Sequence, residues 1–155
     1  AGLMAFAGAR LHPRFDIVMR YLAFDAQLDL ADLVITAEGS LDGQSPFGKV
    51  PCEVARRARA RGIPTIALAG TIGKGVGETF ENGIDAFASI IKRPCTLEDA
   101  IANGEKLLRR AAEDAMRMVM VGARLAANAS HHAAFQPYQP HPATIDLPAQ
   151  AGRAA

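Results

Sequence analysis

Short apolar segments alternate with helical patterns along most of the chain, and this alternation restricts the fold more than any other feature. The apolar segments are Leu33–Thr36, Thr65–Ala69 and Ala86–Ile91, and each is apolar at consecutive positions rather than at every second one. Continuous apolar strands are typical of a sheet that is covered on both faces. Strands separated by helices are connected by right-handed parallel crossovers. The sequence therefore predicts an α/β fold with a Rossmann-like, doubly wound, mostly parallel sheet.

Helical patterns fill the remaining segments. They cover Tyr21–Leu30, Val50–Arg61 and Glu78–Asn82, and a last long helix is predicted from Thr96 to about Ala127. Thr96 suits an N-cap because an acidic residue follows three positions later. The arginines of residues 56–61 are predicted to form a solvated helix face. Side chains predicted to be buried on the last helix are Leu97, Ile101, Leu108, Ala112, Ala115 and Val119, and the methionines Met116, Met118 and Met120 are also assigned to packing.

The end of the chain has a different composition. Residues 128–155 contain Pro137, Pro140, Pro142 and Pro148 with few apolar residues and no periodicity. Such a segment predicts a disordered tail. The expected organisation is an α/β portion over residues 1–127 and a tail over residues 128–155. Because the chain does not begin with Met, we interpret it as a piece of a longer protein.

Composition and charge exclude several classes of partner. The formal net charge is +1 with 21% charged residues, which gives no general attraction to nucleic acid or anionic lipid. The two cysteines, Cys52 and Cys95, lack metal-site spacing, and so few cysteines favour a reducing cytoplasm. No apolar run reaches the roughly 20 residues of a membrane span. We expect a cytoplasmic protein with small-molecule ligands, no nucleic-acid or membrane partner, and homo-oligomerisation left open.

Ligands of such sheets bind at the carboxyl ends of the strands, which here selects the loops Ala37–Lys49, Gly70–Gly77 and Lys92–Cys95. The first carries three charged residues, Glu38, Asp42 and Lys49, and it enters a helix N-terminus, where backbone N–H groups and the helix dipole attract anions. Its glycines, Gly39, Gly43 and Gly48, would let backbone approach a ligand closely.

The same loop contains a partial P-loop pattern. Residues 43–49 satisfy the first seven positions, but Val50 replaces the Mg²⁺-binding Ser or Thr, and Pro46 removes a backbone donor. A true P-loop is therefore not predicted. Two alternatives stay open for the charged residues: Asp42 as a turn residue that bonds its own backbone, and Glu38 as a residue that stabilises the neighbouring loop or pairs with Lys49. The second loop is either a glycine-rich turn or a phosphate site formed by Gly70, Thr71 and Lys74.

The first loop resembles the signature T-G-E-G-R-[IL]-D-x-Q-[ST]-x-x-G-K-x-P of the bacterial glycerate kinase family. This sequence departs from the signature at Ala37 and Ser40, where Gly and Arg are usual. The resemblance extends over about residues 1–127 and points to the C-terminal portion of a two-domain family member. Residues that match the signature are Thr36, Glu38, Gly39, Leu41, Asp42, Gln44, Ser45, Gly48, Lys49 and Pro51.

The resemblance implies a kinase of the glycerate 2-kinase type, which uses ATP and Mg²⁺ to convert D-glycerate into 2-phosphoglycerate. Asp42 would be the base or an Mg²⁺ ligand, Glu38 would hold Mg²⁺, and Lys49 would neutralise a phosphate or carboxylate. The remaining residues expected to bind substrate or phosphate are Gly39, Ser40, Gln44, Ser45, Gly48, Gly70, Thr71 and Lys74. Because the family places its site between two domains, the chain alone is expected to be weakly active or inactive. The alternative is a non-catalytic Rossmann-type module that binds a nucleotide or phosphate ligand, for which the set of Glu38, Asp42 and Lys49 is not required.

Overall fold

The computed structural model describes residues 2–10, 12 and 15–129. The chain divides into two compact units, residues 1–119 and 120–155; the described residues of the second, 120–129, are helical. In chain order the elements are α1 (Gly2–Ala7), α2 (Asp16–Tyr21), α3 (Phe24–Leu28), β1 (Val34–Leu41), a 3₁₀ turn (Ser45–Phe47), α4 (Val50–Arg59), β2 (Thr65–Ile72), α5 (Glu78–Glu81), β3 (Ala86–Ser89), α6 (Leu97–Ala102) and α7 (Gly104–Ala129). Within the described part of the chain, no helix is long and apolar enough to cross a membrane.

The three strands form one parallel sheet in the order β1-β2-β3. Val34 pairs with Thr65 in the first ladder, and Ile66 pairs with Ala86 in the second. The helix α4 connects β1 to β2, and α5 lies in the connection from β2 to β3. At the amino end of β2, the carboxylate of Asp85 accepts the Thr65 N–H at 2.7 Å. The predicted parallel α/β fold is confirmed.

Apolar side chains cover both faces of the central strand. On one face Ala67 and Ala69 pack with residues of α4, in a cluster that contains Leu41, Cys52, Ala55 and Ile84. On the other face Leu68 packs with Ala111 and Ala115 of α7. Alternate residues of a strand point to opposite faces, so one strand serves both clusters. Small alanines on both sides allow the helices to lie close to the sheet.

The strand β1 is longer than predicted and runs through the first half of the signature loop. Glu38 pairs with Ala69 and Leu41 with Ile72, so residues 38–41 belong to the sheet rather than to a loop. A Cβ on Gly70 would lie only 2.7 Å from the carbonyl oxygen of Gly39, so the strands can meet here only because residue 70 is glycine. Residues 38–40 are polar or glycine and are therefore predicted as loop, because a strand that pairs through its backbone without apolar side chains leaves no apolar pattern in the sequence.

The helix predicted over residues 21–30 is shorter than expected: α3 covers Phe24–Leu28, and Tyr21 is the last residue of the separate helix α2. The chain breaks between α2 and α3 at Ala23, a non-glycine residue in the left-handed region with a φ of 47°. Leu28 of α3 is buried with Ala58 and Ile63, so this region is fixed by packing against α4 and the loop that follows it.

The predicted last helix is also divided, because α6 ends at its C-cap Asn103 before α7 begins. Thr96 is the N-cap as predicted, and its hydroxyl accepts the Asp99 N–H at 3.1 Å. The predicted apolar stripe is wrong in part: Leu97 is 77% exposed and Ile101 is 72% exposed. Leu108, Val119 and the methionines Met116, Met118 and Met120 are exposed too. Of the two cysteines, Cys52 is buried and Cys95 is exposed.

The buried residues of α7 are Ala111 and Ala115, with Ala112 partly buried against them, so the prediction is correct for Ala115 and Ala112 and missed Ala111. Close approach of this helix to Leu68 favours these small residues over the larger apolar ones of the predicted stripe. The predicted tail over residues 128–155 lies outside the described residues from 130 onward, and residues 128 and 129 belong to α7.

The arginines of α4 do not all form a solvated face, because Arg57 is the centre of an ion-pair network. Only 16% of its side chain is exposed. Its guanidinium donates to Glu53 at 2.6 Å, to Asp25 at 3.0 Å and to Asp16 at 3.1 Å. Arg57 therefore ties α2 and α3 to α4, and the predicted role of this residue as a solvated side chain is wrong.

Candidate active site

An ion pair between Asp42 and Lys49 lies at the carboxyl end of β1. The Lys49 Nζ is 3.3 Å from each carboxylate oxygen of Asp42. It also donates to the backbone carbonyl of Ser40 at 2.8 Å. About 30% of each side chain is exposed, so both remain within reach of a ligand. Of the two alternatives left open for these residues, the pairing of Lys49 with Glu38 is therefore not found.

The turn after β1 holds the Asp42 carboxylate in place. Its Oδ1 accepts the Gln44 N–H at 3.0 Å and the Ser45 hydroxyl at 3.2 Å. The Ser45 Oγ in turn accepts the Asp42 N–H at 2.9 Å. Asp42 therefore does bond its own turn, as one alternative predicted, but it keeps a second carboxylate oxygen that faces Lys49 and the Ser40 hydroxyl at 3.5 Å.

Desolvation acts to raise the pKa of Asp42, but the Gln44 N–H, the Lys49 ammonium and the Ser45 hydroxyl together lower it below the usual range for aspartate. Each of these groups stabilises the charged form more than the neutral one. Asp42 is consequently an anion at neutral pH, and its electron pairs are available for accepting further hydrogen bonds.

Lys49 occupies the N-cap position of α4, where the helix dipole disfavours a cation. A lysine at such a position requires a compensating anion, and Asp42 supplies it within the chain. Because Asp42 only partly covers the ammonium, Lys49 can still attract an anionic group from solution to the same place.

A second loop closes on the first and forms a shallow groove. The Gly43 N–H donates to the Lys74 carbonyl at 2.9 Å, so residues 42–44 and 73–75 are joined by backbone. The open groove between them encloses about 530 Å³ and is lined by Asp42, Gly43, Gln44, Gly73, Lys74, Gly75 and Glu78.

Three of the predicted site residues, Asp42, Gln44 and Lys74, therefore meet in this groove. Sequence reasoning missed Glu78, which comes from the start of α5. In the sequence, the one indication that Glu78 lines the groove is its position just after the second glycine-rich loop.

Other predicted site residues lie elsewhere. Ser45 has no exposed surface, and its hydroxyl donates to the Asp42 carboxylate. Glu38 lies within β1, and its carboxylate accepts the Gly39 N–H. The remaining predicted residues outside the groove lining are Gly39, Ser40, Gly48, Lys49, Gly70 and Thr71, and of these Lys49 is joined to the groove residue Asp42 by the ion pair. The third loop does not join the groove either, and its Lys92 pairs with Asp114 of α7.

The backbone of the first loop does not form the phosphate cradle of a P-loop. The N–H groups of Gly43, Gln44, Ser45 and Lys49 are donated to Lys74, Asp42 and Ser45 acceptors of the protein itself. A P-loop requires such groups to point at the ligand. The structure thus agrees with the argument from Val50 and Pro46.

The carboxylates present limit how a divalent cation could be held. Among the described residues, no three His, Cys, Asp or Glu side chains are grouped as a metal site. Mg²⁺, however, commonly binds through one or two carboxylates with several waters and substrate phosphates. Asp42, which lines the groove, fits that arrangement. Glu38 does not line the groove, and its role as an Mg²⁺ ligand stays a prediction.

Taken together, the parallel sheet and the charged side chains at the carboxyl ends of β1 and β2 define an α/β protein with a charged site at the sheet edge. Comparison with known proteins gives the family. The family model described as the glycerate kinase family matches residues 1–120. The chain belongs to the glycerate kinase family.

Individual relatives agree. Over 114 residues the chain is 42% identical to a glycerate kinase of Halalkalibacterium halodurans, covering 74% of this chain and 30% of that protein. Over 124 residues it is 36% identical to the glycerate 2-kinase of Escherichia coli, covering 80% of this chain and 32% of that protein.

A crystal structure assigned as glycerate kinase 2 from Salmonella typhimurium LT2 superposes with a TM-score of 0.61 and 38% identity. The match covers 79% of this chain and 31% of that one. The chain thus spans about 30% of the length of the relatives it matches.

Proposed function

We propose that this chain forms part of an ATP-dependent kinase that phosphorylates D-glycerate to 2-phosphoglycerate, with Asp42 and Lys49 at the reacting centre. The observation that carries the proposal is the ion pair itself. Its members are partly exposed, and the turn fixes Asp42 by bonds from Gln44 and Ser45. A binding module has no need of a carboxylate fixed beside a lysine, whereas phosphoryl transfer requires an acceptor for the attacking hydroxyl and a cation for the developing charge.

Asp42 would accept a hydrogen bond from the attacking hydroxyl of glycerate. Its lowered pKa makes it a weak base. That is compatible with phosphoryl transfer, in which the transition state is loose and positioning of the nucleophile matters more than complete proton removal. Asp42 would thus act as an ionised acceptor that orients the hydroxyl and takes its proton late.

Lys49 would provide the positive charge, from its place at the start of α4. When an anionic phosphate or the glycerate carboxylate enters, the ammonium can turn part of its hydrogen bonding from Asp42 to the ligand. The Ser40 carbonyl, 2.8 Å from Nζ, would keep the side chain in position during that exchange.

Mg²⁺ would be held by Asp42 together with nucleotide phosphates, and its chemical contribution when bound is neutralisation of phosphate charge. Gln44 and Lys74 line the same groove and would contact the ligand. The chain spans about 30% of its relatives, so we propose that adenine and part of the glycerate are bound by sequence beyond it. We therefore expect the isolated chain to be weakly active or inactive.

The proposal is tested with the complete product of the gene. Coupled ADP formation is measured with D-glycerate, L-glycerate, lactate and no acceptor, with and without Mg²⁺, and ³¹P NMR identifies the phosphoglycerate isomer. We expect Mg²⁺-dependent turnover only with D-glycerate, and 2-phosphoglycerate as the product. Saturable nucleotide binding without turnover of any acceptor would refute a kinase and favour a binding module, and 3-phosphoglycerate would refute the assigned product.

A further inference from the structure

Gly73 of the second loop contacts the first loop beside Asp42, although Gly73 lies outside the signature segment. Gly73 follows directly after β2, and its N–H donates to the Leu41 carbonyl at 2.8 Å. This bond extends the pairing of β1 and β2 beyond Leu41 and Ile72. It brings the backbone of residue 73 against the residue that follows Leu41, which is Asp42.

The space between residue 73 and the Asp42 side chain is too small for an additional carbon atom. A Cβ built on Gly73 would lie 2.9 Å from the Cβ of Asp42. Carbon atoms not bonded to each other prefer separations of about 3.5–4.0 Å, so any side chain at residue 73 must move one of them by roughly 0.6–1 Å. The Asp42 Cβ is attached directly to backbone and cannot yield as the end of a flexible side chain could.

Backbone conformation does not explain the glycine. Gly73 is not among the glycines in the left-handed region, whereas its neighbour Gly75 is, with a φ of 71°. A left-handed φ is therefore not the reason for glycine at residue 73. The requirement for glycine that the structure shows at this position is space for the Asp42 Cβ.

We propose that Gly73 is a positioning residue that sets the location of Asp42 relative to Lys49 by lying against its Cβ. This inference rests on the proposed role of Asp42. The loop after β2 thereby has a use besides ligand contact, since it is the surface against which the Asp42 turn is built. Displacement of the Asp42 Cβ by up to about 1 Å would lengthen the 3.3 Å contacts to Lys49 and spoil the orientation of the attacking hydroxyl.

The test substitutes Gly73→Ala in the complete gene product, with Gly104→Ala as the matched control. Gly104, the first residue of α7, has open space around its Cβ position and no left-handed φ. We expect Gly73→Ala to lower kcat about 10- to 100-fold, because errors of about 1 Å in a reacting group have effects of that order. Gly104→Ala should leave kcat unchanged.

A readout that does not depend on turnover is the Asp42 carboxyl resonance, followed against pH with ¹³C-labelled aspartate. Gly73→Ala should raise the Asp42 pKa toward the ordinary aspartate value, since Lys49 no longer lies as close, and Gly104→Ala should not change it. An unaltered pKa in Gly73→Ala would overturn the inference. If the protein turns over no acceptor, the proposed function fails while this titration still decides the role of Gly73.

A second pair of variants covers the case in which Gly73→Ala does not fold. Asp42→Gly removes the opposing Cβ, so Gly73→Ala combined with Asp42→Gly should fold and unfold at the same urea concentration as Asp42→Gly alone. Recovery of folding in the double variant would support the contact. A double variant that fails to fold, or unfolds at a lower urea concentration than Asp42→Gly alone, would refute it.

Discussion

Replacement of Arg57 by Met is the sharpest test of how the first part of the chain is held on the sheet. Arg57 joins Glu53 of its own helix with Asp16 of α2 and Asp25 of α3. Arg56 offers a matched control, since it also pairs with Glu53 but its side chain is 64% exposed and has no partner in α2 or α3.

The magnitude follows from the number of charges. A pair of unit charges about 4 Å apart gains about 1 kcal/mol in bulk water, so three carboxylates around one guanidinium gain roughly 3 kcal/mol. Ordering an arginine side chain costs about 2 kcal/mol of rotamer entropy. Repulsion among the carboxylates left behind adds to the loss in the variant. We expect Arg57→Met to lower the free energy of unfolding by about 1–2 kcal/mol, and Arg56→Met by at most about 0.5 kcal/mol.

The assay is urea unfolding followed by circular dichroism at low salt and at about 0.5 M salt, where charges are screened over a few ångströms. The difference between the variants should shrink at high salt. It should also shrink at acid pH. Burial raises the pKa of Glu53, but Arg56 and Arg57 together lower it, so its contribution is complete above the ordinary glutamate range and is lost as pH falls through the lowered value. Equal stability of the two variants at neutral pH and low salt would refute the account.

Two further predictions concern the site and the core. Lys49→Met should raise the pKa of Asp42, because the substitution removes a cation that lowers this pKa. The acid limb of the profile of kcat against pH should then move to higher pH. An acid limb at the same pH as in the wild type would contradict the assignment of Asp42 as the titrating acceptor. Gly83→Ala should lower the free energy of unfolding by about 3 kcal/mol. Residue 83 has a φ of 98°, and a Cβ at this residue would lie 2.8 Å from the backbone of α4, so both features oppose a side chain. A urea midpoint within error of the wild-type value would contradict this geometry.

The sequence was sufficient for the fold class and for part of the site because these depend on local patterns. Three apolar segments placed the strands, and the sequence placed Glu38, Asp42 and Lys49 in one charged loop. The ion pair of Lys49 with Asp42 at 3.3 Å was not predicted, because the pairing considered for Lys49 was with Glu38. The N-cap at Thr96 was also readable, since capping needs only residues near in sequence.

Features that depend on long-range packing were not predictable in the same way. The extension of β1 through Gly39 relies on close contact with Gly70, which no local pattern reveals. The burial of Ala111 on α7 and the exposure of Ile101 on α6 depend on which helix face contacts the sheet. The same applies to Gly73, whose importance comes from a neighbour 31 positions earlier.

The most direct test of the central claim is the turnover of Asp42→Asn in the complete gene product, measured as D-glycerate-dependent ADP formation at saturating ATP. Asn keeps the size of the side chain and an oxygen for Gln44 and Ser45, but it removes the charge that faces Lys49. We predict that Asp42→Asn lowers kcat by at least about 100-fold and leaves the urea midpoint unchanged. A decrease of this size is typical when an electrostatic group of an active site is removed. Turnover within about twofold of wild type would show that Asp42 takes no part in the reaction.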